Sequence, residues 1–203
     1  MVNCPSCHAG IPDGARFCPT CGAEMSLSMI EERRVVTVLF ADIVGFTSLS
    51  EHRDPEQVKR LIDACFQRLV ADVEAFGGRV DKILGDGILA LFGAPIAHED
   101  DAERAVRAGL KMQETLVDHN RDVGATLRMR IGINTGEVLV GALRAGGTYT
   151  AMGDVVNTAS RLQAEAPPGR VLVGAATYAL SHGPIRYVSF GEITPRGREY
   201  SFE

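Results

Sequence analysis

The sequence lacks any apolar run long enough to span a bilayer, and its N-terminus lacks the apolar core of a signal peptide. It also lacks a basic excess, because the formal net charge is -5, and this argues against broad nucleic-acid binding. No internal repeat or low-complexity tract is expected in it. With 45% hydrophobic and 23% charged residues, the composition is that of an ordinary globular protein. We therefore expect a cytoplasmic protein with no membrane span.

Cysteine is scarce outside the N-terminus, since four of the five cysteines lie within the first 21 residues. Cys4, Cys7, Cys18 and Cys21 form two Cys-x-x-Cys pairs around a short loop. In a reducing compartment this spacing indicates a metal site rather than disulfides, and four thiolates suit one structural Zn²⁺. Because four sulfurs complete the shell, His8 is not expected to be a ligand.

The 203 residues suffice for one medium domain and a small appendage. Residues 1–25 resemble a zinc ribbon, which would serve either as a structural cap or as a docking module for a protein partner. Residues 26–34 are a polar linker, and the main domain occupies 35–203.

The main domain alternates strand and helix patterns in the order β-α-β-β-α-β, which predicts an α+β, ferredoxin-like fold. The hairpin is expected to turn at Asp86-Gly87, and Asp154 is the expected N-cap of the third helix. The predicted strands are 35–42, the hairpin 79–93, 127–140, 146–152, 170–174 and a final hairpin 185–203. The predicted helices are 55–76, 98–120, 154–165 and 175–180.

Apolar stripes at helical spacing identify the core-facing sides of the first two helices. Cys65 lies on the first stripe, so we expect it to be an inert core thiol. The stripes are Val58, Leu61, Ile62, Cys65, Phe66, Leu69 and Val73 on one helix, and Ala102, Ala105, Val106, Gly109, Met112 and Leu116 on the other.

Two aspartates lie where strands give way to turns. Asp42 ends an apolar run, and Asp86 lies at the tip of the predicted hairpin. Either aspartate alone suits a solvated strand end. Together, two such carboxylates can hold divalent cations on a polyphosphate.

Four segments of the main domain resemble the class III nucleotidyl cyclase catalytic domain, that of adenylate and guanylate cyclases. They read VTVLFADIVGFTSLSE, DKILGDGILALFGAP, RMRIGINTGEVLVG and YTAMGDVVNTASRLQ. Each is weak alone, but their order and spacing are specific. The resemblance implies two-metal conversion of ATP to 3',5'-cyclic AMP and pyrophosphate for intracellular signalling.

The resemblance also assigns residues to the metals and phosphates. Asp42, Asp86 and the Ile43 carbonyl would bind two Mg²⁺ or Mn²⁺ ions per site. The backbone amides of the turn Gly45, Phe46 and Thr47 would cradle phosphate oxygens. Arg130 would contact the triphosphate, whereas Arg198 matches a terminal phosphate-binding residue only loosely.

Two positions would select the base. Lys82 would donate to adenine N1, and this favours ATP because guanine N1 carries a hydrogen. Thr150 marks the soluble, bicarbonate-responsive subclass, so bicarbonate is an expected activator. Without a functional role, Lys82 would be an ordinary surface lysine, and Thr150 would be a strand residue favoured by the β-propensity of threonine.

Asn157 and Arg161 lie four residues apart on one face of the third helix, opposite its apolar side. A solvated helix face would also give this pattern. The resemblance implies instead that Asn157 orients the ribose and that Arg161 stabilises charge on the α-phosphate. In the family these residues and the base-selecting pair come from the partner protomer, which predicts a homodimer with two sites.

Three alternatives remain open. A guanylate cyclase would share the mechanism, although Lys82 disfavours it. A catalytically silent regulatory module would normally have lost a metal aspartate or the Asn-Arg pair. A zinc-ribbon adaptor would act mainly by docking.

Overall fold

A computed structural model of the chain describes residues 2–4, 6–12, 17–23, 32–44, 55–142 and 149–191. They divide into two compact units, one formed by Met1–Glu32 with Val140–Thr150 and the other by Arg33–Leu139 with Ala151–Glu203. No helix among these residues is long and apolar enough to cross a membrane.

The N-terminal unit contains two short strands, β1 (Val2–Asn3) and β2 (Gly10–Ile11), which pair antiparallel. Its buried apolar cluster consists of Cys4, Ile11 and Cys18. So small a cluster removes little apolar surface from water, and it therefore needs another source of folding energy.

From Glu32 onward the chain forms the ferredoxin-like sequence of elements, and this prediction is confirmed. The elements are β3 (Glu32–Val44), α1 (Pro55–Ala75), β4 (Arg79–Leu84), β5 (Gly87–Phe92), α2 (Asp101–Val123) and β6 (Arg128–Ala142). They continue with β7 (Tyr149–Met152), α3 (Asp154–Glu165), β8 (Val171–Val173) and α4 (Ala175–Ser181). The sheet order is β4-β5-β3-β6-β7, and β8 pairs parallel with β6.

The main core lies between the sheet and the helices α1 and α2. Both predicted apolar stripes are confirmed, because every member is buried except Leu61, which packs against the core from its margin. Cys65 is 1% exposed, and burial raises the pKa of its thiol to about 11, as expected for an inert core cysteine.

Several predicted boundaries shift. The strand β3 begins three residues before 35, and α2 begins three residues after 98. In α3 the N-cap is Gly153, with φ 148, and Asp154 is the first helical residue. The prediction of Asp154 as N-cap is therefore wrong, because glycine adopts the backbone that the turn requires more readily than aspartate does.

The predicted final hairpin is not seen in its described part, because residues 185–191 contain no strand. Side-chain contacts hold this segment instead. The Tyr187 hydroxyl lies 2.6 Å from Ser181 Oγ, and its ring packs edge-on against Tyr178. The remainder, 192–203, lies outside the described residues.

Candidate active site

The strands β3 and β5 bring the two aspartates together at one end of the sheet. Asp42 pairs with Gly87 across the two strands, and the Ile43 N–H donates to the Asp86 carbonyl at 3.1 Å. The turn between β4 and β5 is Gly85-Asp86 rather than the predicted Asp86-Gly87. Gly85 has φ +64, a conformation that favours glycine, so Asp86 occupies the second turn position.

Asp42 faces away from the main core. Its neighbours Ala41 and Ile43 belong to the core cluster under α1 and α2, and successive strand residues point to opposite faces. The Asp42 side chain is therefore directed toward the face of the sheet that α3 covers. At Gly132 the helix α3 lies directly on β6, since an added Cβ would clash with the backbone nitrogen of Gln163 and the carbonyl oxygen of Ala159.

Asp42 and Asp86 form a pair of carboxylates whose negative charges repel each other. The pKa of Asp42 is raised above its ordinary value by burial, by the negative charge of Asp86 and by a side-chain hydrogen bond with Asp86. The Arg130 charge and a hydrogen bond with Gln163 act in the opposite direction. Two hard carboxylate donors that repel each other fit a divalent cation such as Mg²⁺ or Mn²⁺.

Arg130 lies on β6, two residues before Gly132 and thus on the same face. One guanidinium N–H donates to the Ala164 carbonyl at 3.3 Å, which ties Arg130 to the end of α3. Its Nε is buried and finds no hydrogen-bond partner among the described residues. A buried donor of this kind is satisfied when an anionic oxygen arrives.

The helix α3 presents Asn157 and Arg161 away from the sheet. Its apolar side is buried through Ala159 and Leu162, whereas Asn157 is exposed and Arg161 half-buried. Within the described part of the chain, no hydrogen bond joins either polar side chain to Asp42 or Asp86. The predicted site residues thus form a group around Asp42 and a separate pair on α3.

Gln163 is a site residue that sequence reasoning missed. It follows Arg161 by two residues and Ala159 by four, so helical geometry turns it toward the sheet. The available signal was a polar residue on the sheet side of an amphipathic helix, at the last position of the quoted segment YTAMGDVVNTASRLQ.

Lys82 lies on β4, where its ammonium is 3.2 Å from the Asp81 carboxylate. Thr150 lies on β7, but its side chain is outside the described set. Gly45, Phe46 and Thr47 also lie outside the described residues, as does Arg198. Their assigned roles stay predictions.

The four N-terminal cysteines converge. Their Sγ atoms all lie within 4.8 Å of one another, and the Cys4–Cys21 and Cys7–Cys18 pairs are each 3.6 Å apart. The thiols differ in acidity: backbone hydrogen bonding from Cys21 lowers the pKa of Cys18 to about 6, whereas the pKa of Cys7, 3.6 Å away, is raised to about 12. This donor set fits a tetrahedral zinc ion.

A cavity of about 580 Å³ lies elsewhere, between α4, β8 and the segment 185–191. Its lining combines apolar side chains with Tyr178, His182, Arg186, Tyr187 and Ser189, and it contains none of the predicted catalytic residues. The carboxylate pair therefore marks the candidate active site.

Comparisons with known proteins agree with this geometry. The family model described as the adenylate and guanylate cyclase catalytic domain matches residues 23–201, and a zinc-ribbon domain model matches residues 3–25. The chain belongs to the adenylate and guanylate cyclase family. It carries an N-terminal zinc ribbon ahead of the cyclase domain.

Relatives named for either base resemble this cyclase domain. It is 34% identical to adenylate cyclase 1 of Rhizobium meliloti over 179 residues, which cover 84% of this chain and 27% of that protein. It is 31% identical to the guanylate cyclase soluble subunit beta-2 of Rattus norvegicus, over 82% of this chain and 25% of that protein. The chain thus spans about a quarter of the length of these two relatives.

Solved structures show the same mixture. An adenylyl cyclase from P. aeruginosa superposes with a TM-score of 0.82 at 31% identity, over 86% of this chain and 93% of that one. A guanylyl cyclase superposes with a TM-score of 0.81 at 34% identity, over 86% and 91% of the two chains. The family is shared, and the choice of base has to come from the site.

Proposed function

We propose that the chain is an adenylate cyclase that converts ATP to 3',5'-cyclic AMP and pyrophosphate. The observation that carries the proposal is the contact between the Asp42 and Asp86 carboxylates beside Arg130. Similar identity to adenylate- and guanylate-named relatives leaves the base open, so the assignment of ATP depends on Lys82. An ammonium donates to adenine N1, whereas guanine presents an N–H there.

Asp42, Asp86 and the Ile43 carbonyl would hold two Mg²⁺ or Mn²⁺ ions, which acidify the ribose 3'-hydroxyl and neutralise the triphosphate. The turn Gly45–Thr47 would bind phosphate oxygens through its backbone amides. Arg130 would bind the triphosphate, and its unpartnered Nε supports that role.

We propose that activity requires a homodimer with two equivalent sites. Each site would combine the carboxylates and Arg130 of one protomer with the partner's base-binding and helix residues. The positions of exposed Asn157 and half-buried Arg161, on a face of α3 turned from the carboxylates of their own chain, support this arrangement. The partner residues would be Lys82 and Thr150 for the base, Asn157 for the ribose and Arg161 for the α-phosphate. Bicarbonate is the proposed activator.

The ribbon is proposed to bind one Zn²⁺ through its four cysteines. Because the ion would be fully coordinated, its role is structural rather than catalytic. A protein partner of the ribbon is the proposed reason for its presence beside a cyclase domain.

The test is product formation by the purified chain with Mn²⁺ and either ATP or GTP. We expect cyclic AMP from ATP, a loss of at least about a thousandfold in Asp86→Ala, and lower specific activity on dilution below the dimer dissociation constant. Cyclic GMP as the main product would overturn the base assignment and keep the mechanism. No product from a sample shown to be dimeric would favour a regulatory module.

A further inference from the structure

Asp81 lies next to Lys82 on β4, the edge strand of the sheet, yet its side chain is 0% exposed. Its two carboxylate oxygens contact different cations. One lies 3.2 Å from Lys82 Nζ and the other 3.6 Å from an Arg79 guanidinium nitrogen. A buried carboxylate that contacts two cations is a constrained group, since removing a partner would leave charge uncompensated.

A β-bulge makes the contact between neighbours geometrically possible. Val80 pairs with Ala90 and Lys82 pairs with Leu89, so Asp81 is an extra residue between consecutive partners on β5. In a regular strand, adjacent side chains point to opposite faces and would diverge. A bulge breaks this alternation and redirects a side chain, a device common beside active sites.

We propose that Asp81 is a positioning residue that sets base preference by fixing the Lys82 ammonium. The inference rests on the proposed function, in which Lys82 contacts the base. Lysine is a point charge on a flexible four-carbon stem, so on its own it does not select one hydrogen-bond geometry. An ammonium has three N–H donors, so pairing with Asp81 is compatible with donation to adenine N1.

Loss of Asp81 would let the ammonium sample more positions. Some of these would suit the guanine O6 acceptor as well as adenine N1. ATP binding would weaken and GTP would be rejected less strongly, because discrimination depends on leaving the wrong base unpaired. The phosphate and metal groups would be untouched, so the change should appear mainly in KM.

The competing interpretation is an ion cluster that only stabilises the edge of the sheet. It predicts that substitutions of Arg79 and of Asp81 change the ATP-to-GTP preference equally, because both residues belong to the cluster. The positioning role predicts that substitutions at the two residues have different effects, because Asp81 contacts the Lys82 ammonium at 3.2 Å whereas Arg79 is itself a cation that contacts Asp81.

The experiment compares Asp81→Asn with wild type, measuring kcat/KM for ATP and for GTP. We expect the ATP-to-GTP ratio to fall about tenfold or more, chiefly through a higher KM for ATP, with partial rescue in Asp81→Glu. Two controls should keep the wild-type ratio. These are Arg79→Gln, and Asp118→Asn, which removes an exposed carboxylate paired with Arg121 at 2.7 Å.

A double-mutant cycle with Lys82→Met separates positioning from folding. In that background Asp81→Asn should leave the ratio unchanged, because there is no ammonium left to fix. An equal further drop in the Lys82→Met background, or a wild-type ratio in Asp81→Asn itself, would overturn the inference while cyclic AMP production stands.

Absence of the proposed adenylate cyclase activity can be distinguished from failure of the Asp81 inference. If wild type forms no cyclic nucleotide, the same variants are compared by their dissociation constants for ATP and GTP with Ca²⁺. A tenfold loss of ATP preference in Asp81→Asn would still support the positioning role, and an unchanged preference would refute it. A wild type that prefers GTP would remove both the base assignment and this inference.

Discussion

The ribbon and the cyclase domain differ in what holds each of them together. The ribbon buries Cys4, Ile11 and Cys18 and brings four sulfurs within 4.8 Å of one another. The cyclase domain buries a cluster contributed by α1, α2 and the strands β3, β5 and β6. The contrast teaches that metal ligands substitute for apolar area where a chain segment is too short to form a core.

Within the ribbon, the two Cys-x-x-Cys turns correspond position by position. The Cys4 N–H donates to the Ala9 carbonyl and the Cys18 N–H to the Ala23 carbonyl, at 2.9 and 2.8 Å. The turns differ at two positions, Ser6 against Thr20 and His8 against Gly22, and at the second of these His8 has φ 59 and Gly22 has φ 71. The expectation of no internal repeat is therefore wrong for this six-residue stretch, in which a histidine at positive φ corresponds to a glycine.

Cys18→Ser should give the largest effect, by unfolding the ribbon alone. Metal coordination is expected to contribute about 10 kcal/mol to such a fold, and a lost thiolate opens the shell. Zinc content and protease protection of the first 25 residues should be lost, whereas the melting of the cyclase domain should not change. The control Cys65→Ala should retain the metal, and a ribbon that stays protected in a chelator would refute the idea.

Leu69→Ala should reverse that pattern. Leu69 is 0% exposed under the sheet, so truncation should destabilise the cyclase domain by about 2–5 kcal/mol and leave zinc content unchanged. Denaturant unfolding measures the effect. Leu110→Ala on α2, where the side chain is 46% exposed, should change stability by less than about 0.5 kcal/mol.

Asp42→Asn should abolish cyclisation yet stabilise the metal-free protein by up to about 1 kcal/mol at neutral pH. The gain is modest because partial exposure screens the repulsion from Asp86. The pKa of Asp42 in the folded state lies above its ordinary value of 3.8, so the ionised form disfavours folding.

Metal-free wild type should therefore gain stability as the pH falls through the folded-state pKa, and Asp42→Asn should lack that gain. Thermal melting in a chelator between pH 7 and 4 measures both effects. A lower melting temperature for Asp42→Asn throughout this range would show that the carboxylate stabilises the fold.

His8→Gly should give the smallest effect, an increase of about 1 kcal/mol in the folding stability of the ribbon. A non-glycine residue at positive φ is strained, although the added chain freedom of glycine offsets part of the gain. Gly22→His is the matched reverse change, since an added Cβ there meets no atom within 4 Å and only backbone strain is tested. Zinc affinity, measured by chelator competition, should be higher in His8→Gly than in wild type and lower in Gly22→His. The opposite order would contradict the strain argument.

Sequence reasoning located the long elements well because their signals are periodic. The stripe on α1 and the face of α2 follow helical spacing, which the chain itself imposes. It failed at single residues that tertiary contacts decide. The turn Gly85-Asp86 and the N-cap Gly153 depend on positive φ values, which a sequence pattern places only to within a residue or two.

The sequence by itself determined the family, the order of the helices and strands, and which residues can act as metal ligands. Short segments carry these properties, such as the Cys-x-x-Cys pairs and the segment around Asp42. Only the tertiary structure brought Gln163 to Asp42, placed Asp81 against Lys82 and turned Asn157 away from the carboxylates. Strand register and the packing of α3 on Gly132 join residues far apart in the chain, and the bulge against β5 redirects two residues that are adjacent in it.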